Sequence, residues 1–502
     1  MTDALVIGSG PNGLAAAIRL LEAGRSVTVL EAASQPGGSV RTEELTLPGF
    51  RHDTFSSVYP AAAASPVFAR MPLAEHGLRW VHPRACSAHP LPGGEAAILY
   101  RDLDETARTL DAQHTGDGAR WIAYVKPFLE AFPAVRDTML AGFPPIRGPL
   151  KLLRSTGPKE LLDFGRLLPG SATGLGGRLF NGSGSRAWLY GAAIHGDTPP
   201  GRPGSALAAF YLNLLGHAVG WPSPEGGAGR LTDALVSYVR SLGGEVITDA
   251  RVDRILASHG RVTGVGVAGG DGFSAPIVIA DLMPDALLRL SGDALAGWYR
   301  KSLKRMFIYG PATLKVDWAL DGPIPWLNEE VRGAGTVHVG GGEQDLLRSI
   351  EESGNGLPAR PVLLLGQQSI ADPSRAPTGK HTAWAYTHGP ASADWVAKQD
   401  QHVEAMEQQV ERFAPGFSER ILARHVLGPA DLERRNANLV HGDVGGGSYI
   451  LRQAVFRPLP VPSPYVTPLS GLYLGSAATF PGGAVHGVPG DSAAKAALRR
   501  TG

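Results

Sequence analysis

The residues best suited to chemistry stand near the start of the chain. Three glycines have the spacing G-x-G-x-x-G, and an acid follows them: Gly8, Ser9, Gly10, Pro11, Asn12, Gly13 and then Glu31. Backbone without side chains approaches a pyrophosphate closely, and a helix that begins at such a loop offers free N–H donors and a positive dipole end. A carboxylate at this distance accepts hydrogen bonds from ribose hydroxyls and repels a 2′-phosphate. The spacing therefore predicts a dinucleotide site that disfavours NADP.

The elements around these residues form the unit that would position them. The apolar run at residues 4–7 predicts a strand, the helical pattern at 14–23 predicts a helix, and residues 26–30 predict a second strand ending at Glu31. In this βαβ order Gly8 permits the tight turn, Gly10 lets the backbone approach the phosphates, and Gly13 lets helix and strand pack closely.

A second run of small residues follows the acid. It begins with Ala32 and continues through Gly37, Gly38, Ser39, Val40, Arg41 and Thr42. A glycine pair and an arginine at this place resemble the flavoproteins in which FAD, rather than NAD, fills the first Rossmann site. The resemblance implies that the small residues lie against the cofactor and that Arg41 lies near its pyrophosphate.

Two distant segments carry the same kind of pattern. In the middle of the chain a Pro-Glu-Gly-Gly loop at 224–227 precedes a helical pattern at 230–242. Short β-type runs follow at 245–248, 252–257, 261–267 and 277–281. Near the C-terminus a strand at 470–478 runs into a glycine-rich loop at 481–490 and a final helix at 492–500. Such a loop at the start of a helix again offers backbone N–H groups to a polar ligand.

Together these three segments are similar to the phytoene desaturase-type FAD oxidoreductases. Within them the chain most resembles the branch named for a pyridine nucleotide-disulfide oxidoreductase domain, although it lacks redox cysteines. The resemblance implies the α/β class: a Rossmann-type FAD-binding domain like that of glutathione reductase and amine oxidases, joined to an α+β substrate domain. The FAD-binding domain would be discontinuous (1–65, 220–285 and 465–502), and the substrate domain would take 66–219 and 286–464.

The same resemblance implies roles for further residues. They are Val252 at the adenine, Gly475 and Ser476 at the ribityl-pyrophosphate, and Ala484, Val485 and His486 at the isoalloxazine ring. His486 and His195 are the catalytic candidates, because histidine moves protons near neutral pH. For each of these two histidines the alternative is a structural residue that hydrogen-bonds within the core or a loop. Tyr59 and Trp221 are candidates to line the substrate cavity, with aromatic core packing as the alternative.

Composition excludes several other classes. Lys plus Arg (47) nearly balance Asp plus Glu (46) without a basic block, which argues against nucleic acid as a partner. Cys86 is the single cysteine, so a redox dithiol is excluded and a cytoplasmic location is expected. The histidines show no metal-site spacing.

We expect neither a signal peptide nor a spanning helix. Residues 206–221 are the most apolar stretch and predict a buried helix, with a cavity wall or peripheral membrane contact as alternatives.

The function implied by the resemblance is the oxidation of a small molecule. FAD takes a hydride from a C–H bond while a proton leaves the adjacent atom, and a double bond forms. Because no second G-x-G-x-x-G follows a strand, the expected electron acceptor is oxygen or a quinone. Three alternatives remain open: a redox-neutral flavin isomerase, an amine oxidase, and a prenyl-binding escort protein of the same fold without flavin. The intact Gly8, Gly10, Gly13 and Glu31 argue against the last.

Overall fold

The computed structural model describes residues 2–501, which form nineteen β-strands and nineteen α-helices. The strands are β1 (Ala4–Ile7), β2 (Val27–Leu30), β3 (Thr42–Glu43), β4 (His52–Asp53), β5 (Trp80–Val81), β6 (Ala85–Pro90), β7 (Ala96–Leu99), β8 (Ser223–Pro224), β9 (Glu245–Ile247), β10 (Val252–Ser258), β11 (Arg261–Val267), β12 (Phe273–Ser274), β13 (Ile277–Ala280), β14 (Ala312–Leu320), β15 (Ala334–Val339), β16 (Leu363–Gly366), β17 (His381–Gly389), β18 (Ile421–Leu427) and β19 (Leu472–Leu474).

The helices are α1 (Pro11–Glu22), α2 (Pro60–Ala63), α3 (Leu103–Gln113), α4 (Asp117–Glu130), α5 (Phe132–Met139), α6 (Arg147–Thr156), α7 (Pro158–Leu167), α8 (Ala172–Leu179), α9 (Ser183–Ala193), α10 (Ser205–Ala218), α11 (Gly229–Ser241), α12 (Pro284–Ser291), α13 (Gly297–Met306), α14 (Glu343–Ser353), α15 (Gln368–Ala371), α16 (Trp395–Glu411), α17 (Pro429–Arg435), α18 (Leu451–Val455) and α19 (Val488–Thr501). Short 3-10 turns connect several of them.

One sheet is parallel throughout, in the order β19-β13-β1-β2-β9. Because side chains alternate along a strand, Ala4 and Val6 face α1, α11 and α19, whereas Leu5 and Ile7 face β10–β12 and α12. Strands β1, β2, β13 and β19 are buried on both faces, which explains why they read as mostly apolar runs, whereas the edge strand β9 is partly exposed.

The parallel register brings four distant positions to one edge of this sheet. Gly8 follows β1, Glu31 follows β2, Asp281 follows β13 and Gly475 follows β19. Ligands of open α/β sheets bind at the carboxyl ends of the strands. The edge is therefore the natural place for the predicted dinucleotide.

A second sheet has seven strands in the order β18-β14-β17-β16-β15-β6-β7. Its β15–β6 pair is parallel and the other pairs are antiparallel. One face packs apolar residues such as Leu314, Val316 and Trp318 against α16. Since the strands other than the edge strand β18 are largely buried, the opposite face must also be covered, and it faces the rest of the protein.

Helices α3–α10 form a separate layer. Its core is aromatic, with Trp121, Trp188 and Phe210 among the fully buried side chains. The apolar stretch at 206–221 lies in this layer, and α10 is buried along most of its length.

Among residues 2–501, every helix is too short or too polar to span a bilayer. The cytoplasmic location stays a prediction.

The fold class predicted from the sequence is confirmed. The parallel sheet takes all its strands from 1–65, 220–285 and 465–502, and the seven-stranded sheet takes all its strands from 66–219 and 286–464. The boundaries between the two domains stay a prediction.

Candidate active site

The predicted glycine pair lies directly on the loop between β1 and α1. The backbone N–H of Gly37 donates to the Ser9 carbonyl oxygen (3.2 Å). A Cβ on Gly38 would stand 3.1 Å from the Cα of Gly10, and Gly38 has a φ of +55°. Both the close approach and the left-handed backbone favour glycine here. The structure thus brings the two glycine motifs together.

Asp281 enters the same loop from the end of β13. Its Oδ2 accepts a hydrogen bond from the Gly13 backbone N–H (3.0 Å). A Cβ on Gly10 would stand 2.7 Å from that oxygen, and one on Gly13 would overlap the Gly8 carbonyl oxygen. Burial raises the pKa of Asp281 to about 7. Sequence reasoning missed this residue; the available signal was an acid immediately after a buried strand.

Glu31 is anchored to the same loop. Its Oε2 accepts hydrogen bonds from the Ser9 backbone N–H (2.9 Å) and hydroxyl (2.6 Å), and its Oε1 accepts one from the Ala33 N–H (2.9 Å). A carboxylate has about four lone-pair positions. About one position remains, which suits a ribose hydroxyl, and the exposed Ala32 beside Glu31 leaves this end accessible.

The adenine end predicted at Val252 lies next to Glu31. Ala250, two residues before Val252, donates its backbone N–H to the Glu31 carbonyl oxygen (2.8 Å). Val252 itself is buried at the start of β10. The structure therefore places the predicted adenine contact beside the predicted ribose contact.

Arg41 does not use all of its hydrogen-bond donors within the described residues. Its Nη2 donates to the Arg435 carbonyl oxygen (3.2 Å) and its guanidinium stands 5.2 Å from the centre of the Phe55 ring. Its buried Nε has no hydrogen-bond partner within residues 2–501, and neither has Oδ1 of Asn12, which follows Pro11 in the first turn of α1. Buried polar atoms without partners are costly. A phosphate-bearing ligand would satisfy Arg41.

Ser39 links this region to a distant loop. Its hydroxyl accepts a hydrogen bond from Nδ2 of Asn436 (2.8 Å), and its carbonyl oxygen accepts one from the Ser56 hydroxyl (2.7 Å). Its predicted cofactor contact stays a prediction.

A polar cavity of about 440 Å³ adjoins Arg41. Its lining is Gln35, Pro36, Val40, Arg41, Thr42, Glu43, Glu44, Arg51, Gly226, Gly229, Arg230, Thr232 and Asp233. The cavity joins the segment after the glycine pair to the loop that begins α11. Both belong to segments that the sequence assigns to the FAD-binding domain.

The C-terminal tail closes the edge of the sheet. The backbone N–H of Gly475 donates to the Ala280 carbonyl oxygen (2.9 Å), and the Ser476 hydroxyl donates to the Leu282 carbonyl oxygen (2.7 Å). A Cβ on Gly490 would overlap the Asn12 carbonyl oxygen, so the first turns of α19 and α1 are in direct contact. The two ends of the chain thus meet at the predicted phosphate site.

His486 is held by its own loop. Its Nδ1 accepts from the Val488 N–H (3.2 Å), and its Nε2 lies 3.0 Å from the Gly483 carbonyl oxygen, which fixes the proton on Nε2. Burial lowers its pKa to about 4. Ala484 is exposed with a φ of +72°, and the half-buried Val485 follows it. This geometry favours the structural alternative for His486, and its catalytic role stays a prediction.

A buried ion pair beside Tyr59 joins segments of the two predicted domains. Asp53 Oδ2 lies 2.6 Å from Arg375 Nη2, and Asp53 also accepts hydrogen bonds from the Ser57 hydroxyl (2.6 Å) and the Ala228 N–H (2.8 Å). Burial alone would raise the pKa of Asp53, but these partners hold it below its usual range. Sequence reasoning missed this pair.

Tyr59 is buried rather than exposed in a cavity. Its hydroxyl donates to the Ser56 carbonyl oxygen (2.9 Å), its backbone N–H donates to the Pro222 carbonyl oxygen (2.8 Å), and its ring lies 6.1 Å from that of Trp80. Its substrate contact stays a prediction.

The inner face of the seven-stranded sheet carries a group of polar and aromatic residues. They are Ser87 and His89 on β6, Thr313, Lys315 and Asp317 on β14, Thr336 and His338 on β15, and Trp384, Tyr386 and His388 on β17. Directly paired strand residues share a face, which is why these side chains collect on one side. We call this group the inner sheet face.

Three contacts orient the inner sheet face. His52 on β4 places Nδ1 3.6 Å from Asp317 Oδ1, and Trp221 lies 6.1 Å from the ring of His338. Asp197 contacts both His388 and the loop at Gly445. Through His52 and Trp221 the inner sheet face therefore looks toward segments of the predicted FAD-binding domain. Sequence reasoning missed the group; the signal was the alternation of polar and apolar residues in β14, β15 and β17.

His388 and Asp197 form an ion pair on this face. His388 Nε2 lies 3.0 Å from Asp197 Oδ1, and His388 Nδ1 lies 3.1 Å from the Thr313 hydroxyl. Burial disfavours the imidazolium and lowers the pKa of His388. The Asp197 carboxylate, together with Asp443 and the Ala312 backbone, outweighs burial, so the pKa of His388 is raised. Asp197 has a φ of +53°, a strained backbone that in non-glycine residues often marks a functional site.

A cavity of about 140 Å³ adjoins this pair. Its lining is Ile194, Asp197, Thr198, Pro199, Pro311, Ile350, Ser353, Gly354, Val362, Leu364, Tyr386, Thr387, His388 and Gly389. Most of these side chains are apolar, and Asp197, Tyr386 and His388 are the ionisable ones.

The catalytic candidate His195 and the cavity candidate Trp221 come together beneath the same face. Their ring centres are 5.3 Å apart, and His195 Nε2 lies 2.8 Å from His338 Nε2. Burial, followed by the nearby His388, lowers the pKa of His195 to about 3. His195 is thus neutral over the physiological range, and its catalytic role stays a prediction.

Lys315 and Asp317 form a second ion pair on the inner sheet face. Lys315 Nζ lies 2.5 Å from both carboxylate oxygens of Asp317. Burial raises the pKa of Asp317 to about 6 despite the opposing charge of Lys315. Burial also lowers the pKa of the neighbouring His52 to about 3.

Residues 12–497 match the family described as flavin containing amine oxidoreductase. The chain belongs to this family. Its cofactor is FAD, which agrees with the glycine cradle, the Glu31 carboxylate and the unpartnered Arg41 Nε. Residues Gly8 to Gly13, Glu31 and Arg41 would hold it.

Similar proteins carry related names. The chain is 28% identical to pyridine nucleotide-disulfide oxidoreductase domain-containing protein 2 of Rattus norvegicus, over 99% of this chain and 93% of that protein. It is 23% identical to one of the subunits of limonene dehydrogenase of Castellaniella defragrans (98% and 94%) and 26% identical to a lycopene-forming phytoene desaturase of Pseudescherichia vulneris (99% of both). The resemblance stated from the sequence is confirmed.

Solved structures agree on the fold. An oxidoreductase from Methanosarcina mazei superposes with a TM-score of 0.64 at 18% identity, covering 99% of this chain and all of that one. Cyclohexylamine oxidase from Brevibacterium oxydans gives a TM-score of 0.57 at 16% identity, covering 100% and 99%. At these identities the likeness concerns the fold alone.

Proposed function

We propose that the protein is an FAD-dependent dehydrogenase or desaturase that forms a double bond in an apolar or mixed small molecule. When bound, FAD supplies the acceptor for a hydride from a substrate C–H bond. The chain's own residues must then orient the substrate, exclude water and accept the proton that leaves the adjacent atom. The proposed electron acceptor for turnover is oxygen or a quinone.

The observation that carries this proposal is the His388–Asp197 pair at the wall of an apolar cavity. A general base needs a pKa near the working pH and a neighbour that stabilises its protonated form. Asp197 supplies that neighbour at 3.0 Å. The pKa values of His52, His195 and His486 are all lowered by burial, which makes these histidines weaker bases. His388 is therefore the proposed proton acceptor, with Nε2 directed at the Asp197 carboxylate.

The cavity lining favours an apolar substrate. Leu364, Val362 and Ile350 supply its walls, and Tyr386 offers an aromatic face. An ammonium substrate would need an unpaired carboxylate, whereas Asp197 is already committed to His388. Two relatives are named for limonene dehydrogenation and phytoene desaturation, which supports the same class of substrate.

The test is anaerobic mixing of the holoenzyme with a panel of terpenoid, lipid and amine metabolites while the flavin absorbance is followed. A hydride donor bleaches the flavin, and dithionite serves as the positive control for an intact, reducible cofactor. Under turnover the product of a desaturase is lighter by two hydrogens. The proposal fails if terpenoids and lipids never bleach a flavin that dithionite reduces.

The same panel separates the alternatives. An isomerase returns a product of unchanged mass. An amine oxidase bleaches with amines and releases hydrogen peroxide in air. A desaturase bleaches with an apolar donor, does not bleach with amines, and returns a product lighter by two hydrogens.

A further inference from the structure

Two exposed helices, α6 and α7, carry an unusual concentration of apolar surface. Exposed large apolar residues are scattered over most of the protein, but four fall within the short range 146–162. Their exposed fractions are 59% for Ile146, 48% for Leu150, 38% for Leu153 and 56% for Leu162. Contiguous apolar surface of this kind marks an interaction site.

The exposed residues of α6 form two adjacent stripes. Ile146, Leu150 and Leu153 stand at positions i, i+4 and i+7, which is one face of a helix. Arg147, Lys151 and Arg154 repeat the same spacing one residue later. An apolar stripe therefore runs beside a basic stripe along the outside of the helix.

The third side of α6 packs on the protein. Leu152 is fully buried, and a Cβ on Gly148 would overlap the backbone of Thr138 in α5. The two exposed stripes are therefore fixed in place by the close packing of the inner side.

Helix α7 extends the pattern. Leu162 is flanked on its own face by Lys159 at i−3 and Arg166 at i+4. Range 146–166 holds five cations and two acids, whereas the whole chain has a net charge of only +1. Within residues 2–501, Arg147 and Arg154 have no ion-pair partner. We call residues 146–166 the α6–α7 surface.

We infer that the α6–α7 surface docks on an anionic lipid bilayer. An amphipathic helix with lysine and arginine beside its apolar face lies in the plane of the interface, with the apolar stripe at the acyl boundary and the cations on anionic headgroups. A second copy of this chain is a poorer occupant, because a two-fold contact would bring two positively charged surfaces together. This inference does not depend on the flavin reaction.

The α6–α7 surface also adjoins the C-terminal tail. Phe143, just before α6, packs edge-on against Phe480 with ring centres 5.5 Å apart. The Tyr465 hydroxyl accepts from the Phe143 N–H (2.9 Å) and donates to the Phe480 carbonyl oxygen (3.0 Å). Docking would therefore set the loop at 481–487 close to the bilayer, where an apolar substrate is concentrated.

The test is co-sedimentation of the full-length holoenzyme with vesicles of phosphatidylcholine alone and of phosphatidylcholine mixed equally with phosphatidylglycerol. We expect the holoenzyme to bind the anionic vesicles. This binding should weaken when salt is added, and binding to the neutral vesicles should be weaker. The double variant Leu150→Glu, Leu153→Glu should lose at least roughly tenfold in partitioning. The variant Arg147→Gln, Arg154→Gln should lose the anionic preference, by about fivefold for each cation removed.

The matched control is Val396→Glu, Leu422→Glu, which adds the same two charges at exposed apolar residues of α16 and β18, outside the α6–α7 surface. It should bind vesicles like the unaltered protein, and the flavin spectrum of every variant checks its folding. The inference is overturned if the holoenzyme stays in the supernatant with anionic vesicles or if the control loses as much binding. It is also overturned if the Leu150→Glu, Leu153→Glu variant merely turns a dimer into a monomer, which would identify a second copy as the occupant.

Discussion

The Asp281 carboxylate and the Gly13 backbone N–H are joined by a hydrogen bond of 3.0 Å that ties the end of β13 to the first turn of α1. Burial, with a smaller contribution from Glu31, raises the pKa of Asp281 to about 7 from its usual 3.8. A carboxyl group thus occupies the helix terminus that the glycine motif offers to the FAD phosphates. Its charge state must affect how well they bind.

We predict that FAD affinity falls as the pH rises through about 7. Below this value Asp281 is neutral, and above it a negative charge stands beside the phosphates. The affinity should fall about tenfold, and Asp281→Asn should remove the dependence. Titration of the apoprotein with FAD below and above pH 7 measures the affinity of both proteins. Asp253→Asn, at an exposed position, is the control. An unchanged pH profile in Asp281→Asn would contradict the prediction.

Gly13→Ala should lower flavin content although alanine is the better helix former. Its Cβ would overlap the Gly8 carbonyl oxygen, so the loop that cradles the phosphates must shift. Gly177→Ala in α8 meets nothing within 4 Å and should raise stability by up to about 1 kcal/mol. The ratio of flavin to protein absorbance and the melting temperature of both variants check this. Equal flavin content in the two would show that the cradle tolerates the added carbon.

The parallel sheet was predictable because its signals are local. Strands β1 and β11 were predicted with their observed bounds, and α11 was displaced by one residue from the predicted 230–242. Helix α19 begins four residues earlier than the predicted 492, because the glycine-rich loop ends sooner than its composition indicates. Gly8 and Glu31 follow strands directly, so sequence spacing alone placed them at one edge of the sheet.

The substrate side was not predictable in the same way. Asp53 and Arg375, like Asp197 and His388, lie far apart in sequence and meet only through the register of strands and loops. Buried polar residues on β14 look like ordinary strand residues until β17 is paired with them. Nothing local in the sequence specifies that pairing, so His195 was a candidate while His388 was passed over.

Arg375→Met should destabilise the protein by about 3–5 kcal/mol, because it leaves the Asp53 carboxylate buried and unpaired. Adding Asp53→Asn should recover part of that loss, since the uncompensated charge is then gone. Chemical denaturation measures both variants. Arg230→Met, at an exposed pair with Asp233, should change stability by less than about 1 kcal/mol. A small effect of Arg375→Met, or no recovery in the double variant, would contradict the role of the pair.

His486 should make the protein less stable in acid. Its pKa is about 4 in the folded state against 6.5 unfolded, so only the unfolded chain takes up the proton in that interval. The neutral His486 contributes roughly 3 kcal/mol to the free energy of unfolding. This contribution is complete above pH 6.5 and is lost as the pH falls toward 4. His486→Asn should flatten this part of the stability profile.

The same variant separates the two roles of His486. Asparagine retains a donor and an acceptor for the loop, so flavin binding and donor-driven flavin reduction should persist in His486→Asn. A selective loss of donor-driven reduction with normal flavin binding would instead establish His486 as catalytic.

His388→Gln should slow flavin reduction by the donor found in the anaerobic panel by about 10²- to 10⁴-fold, because the proton acceptor is lost. Reduction by dithionite needs no such base and should be unchanged. Neutral His388 is the active form. The rate of flavin reduction should therefore rise as the pH increases through the raised pKa of His388. Asp197→Asn removes the charge that raises it and should shift this rise to lower pH. Stopped-flow absorbance across a pH series measures both; an unshifted profile in Asp197→Asn would assign the proton transfer to another group.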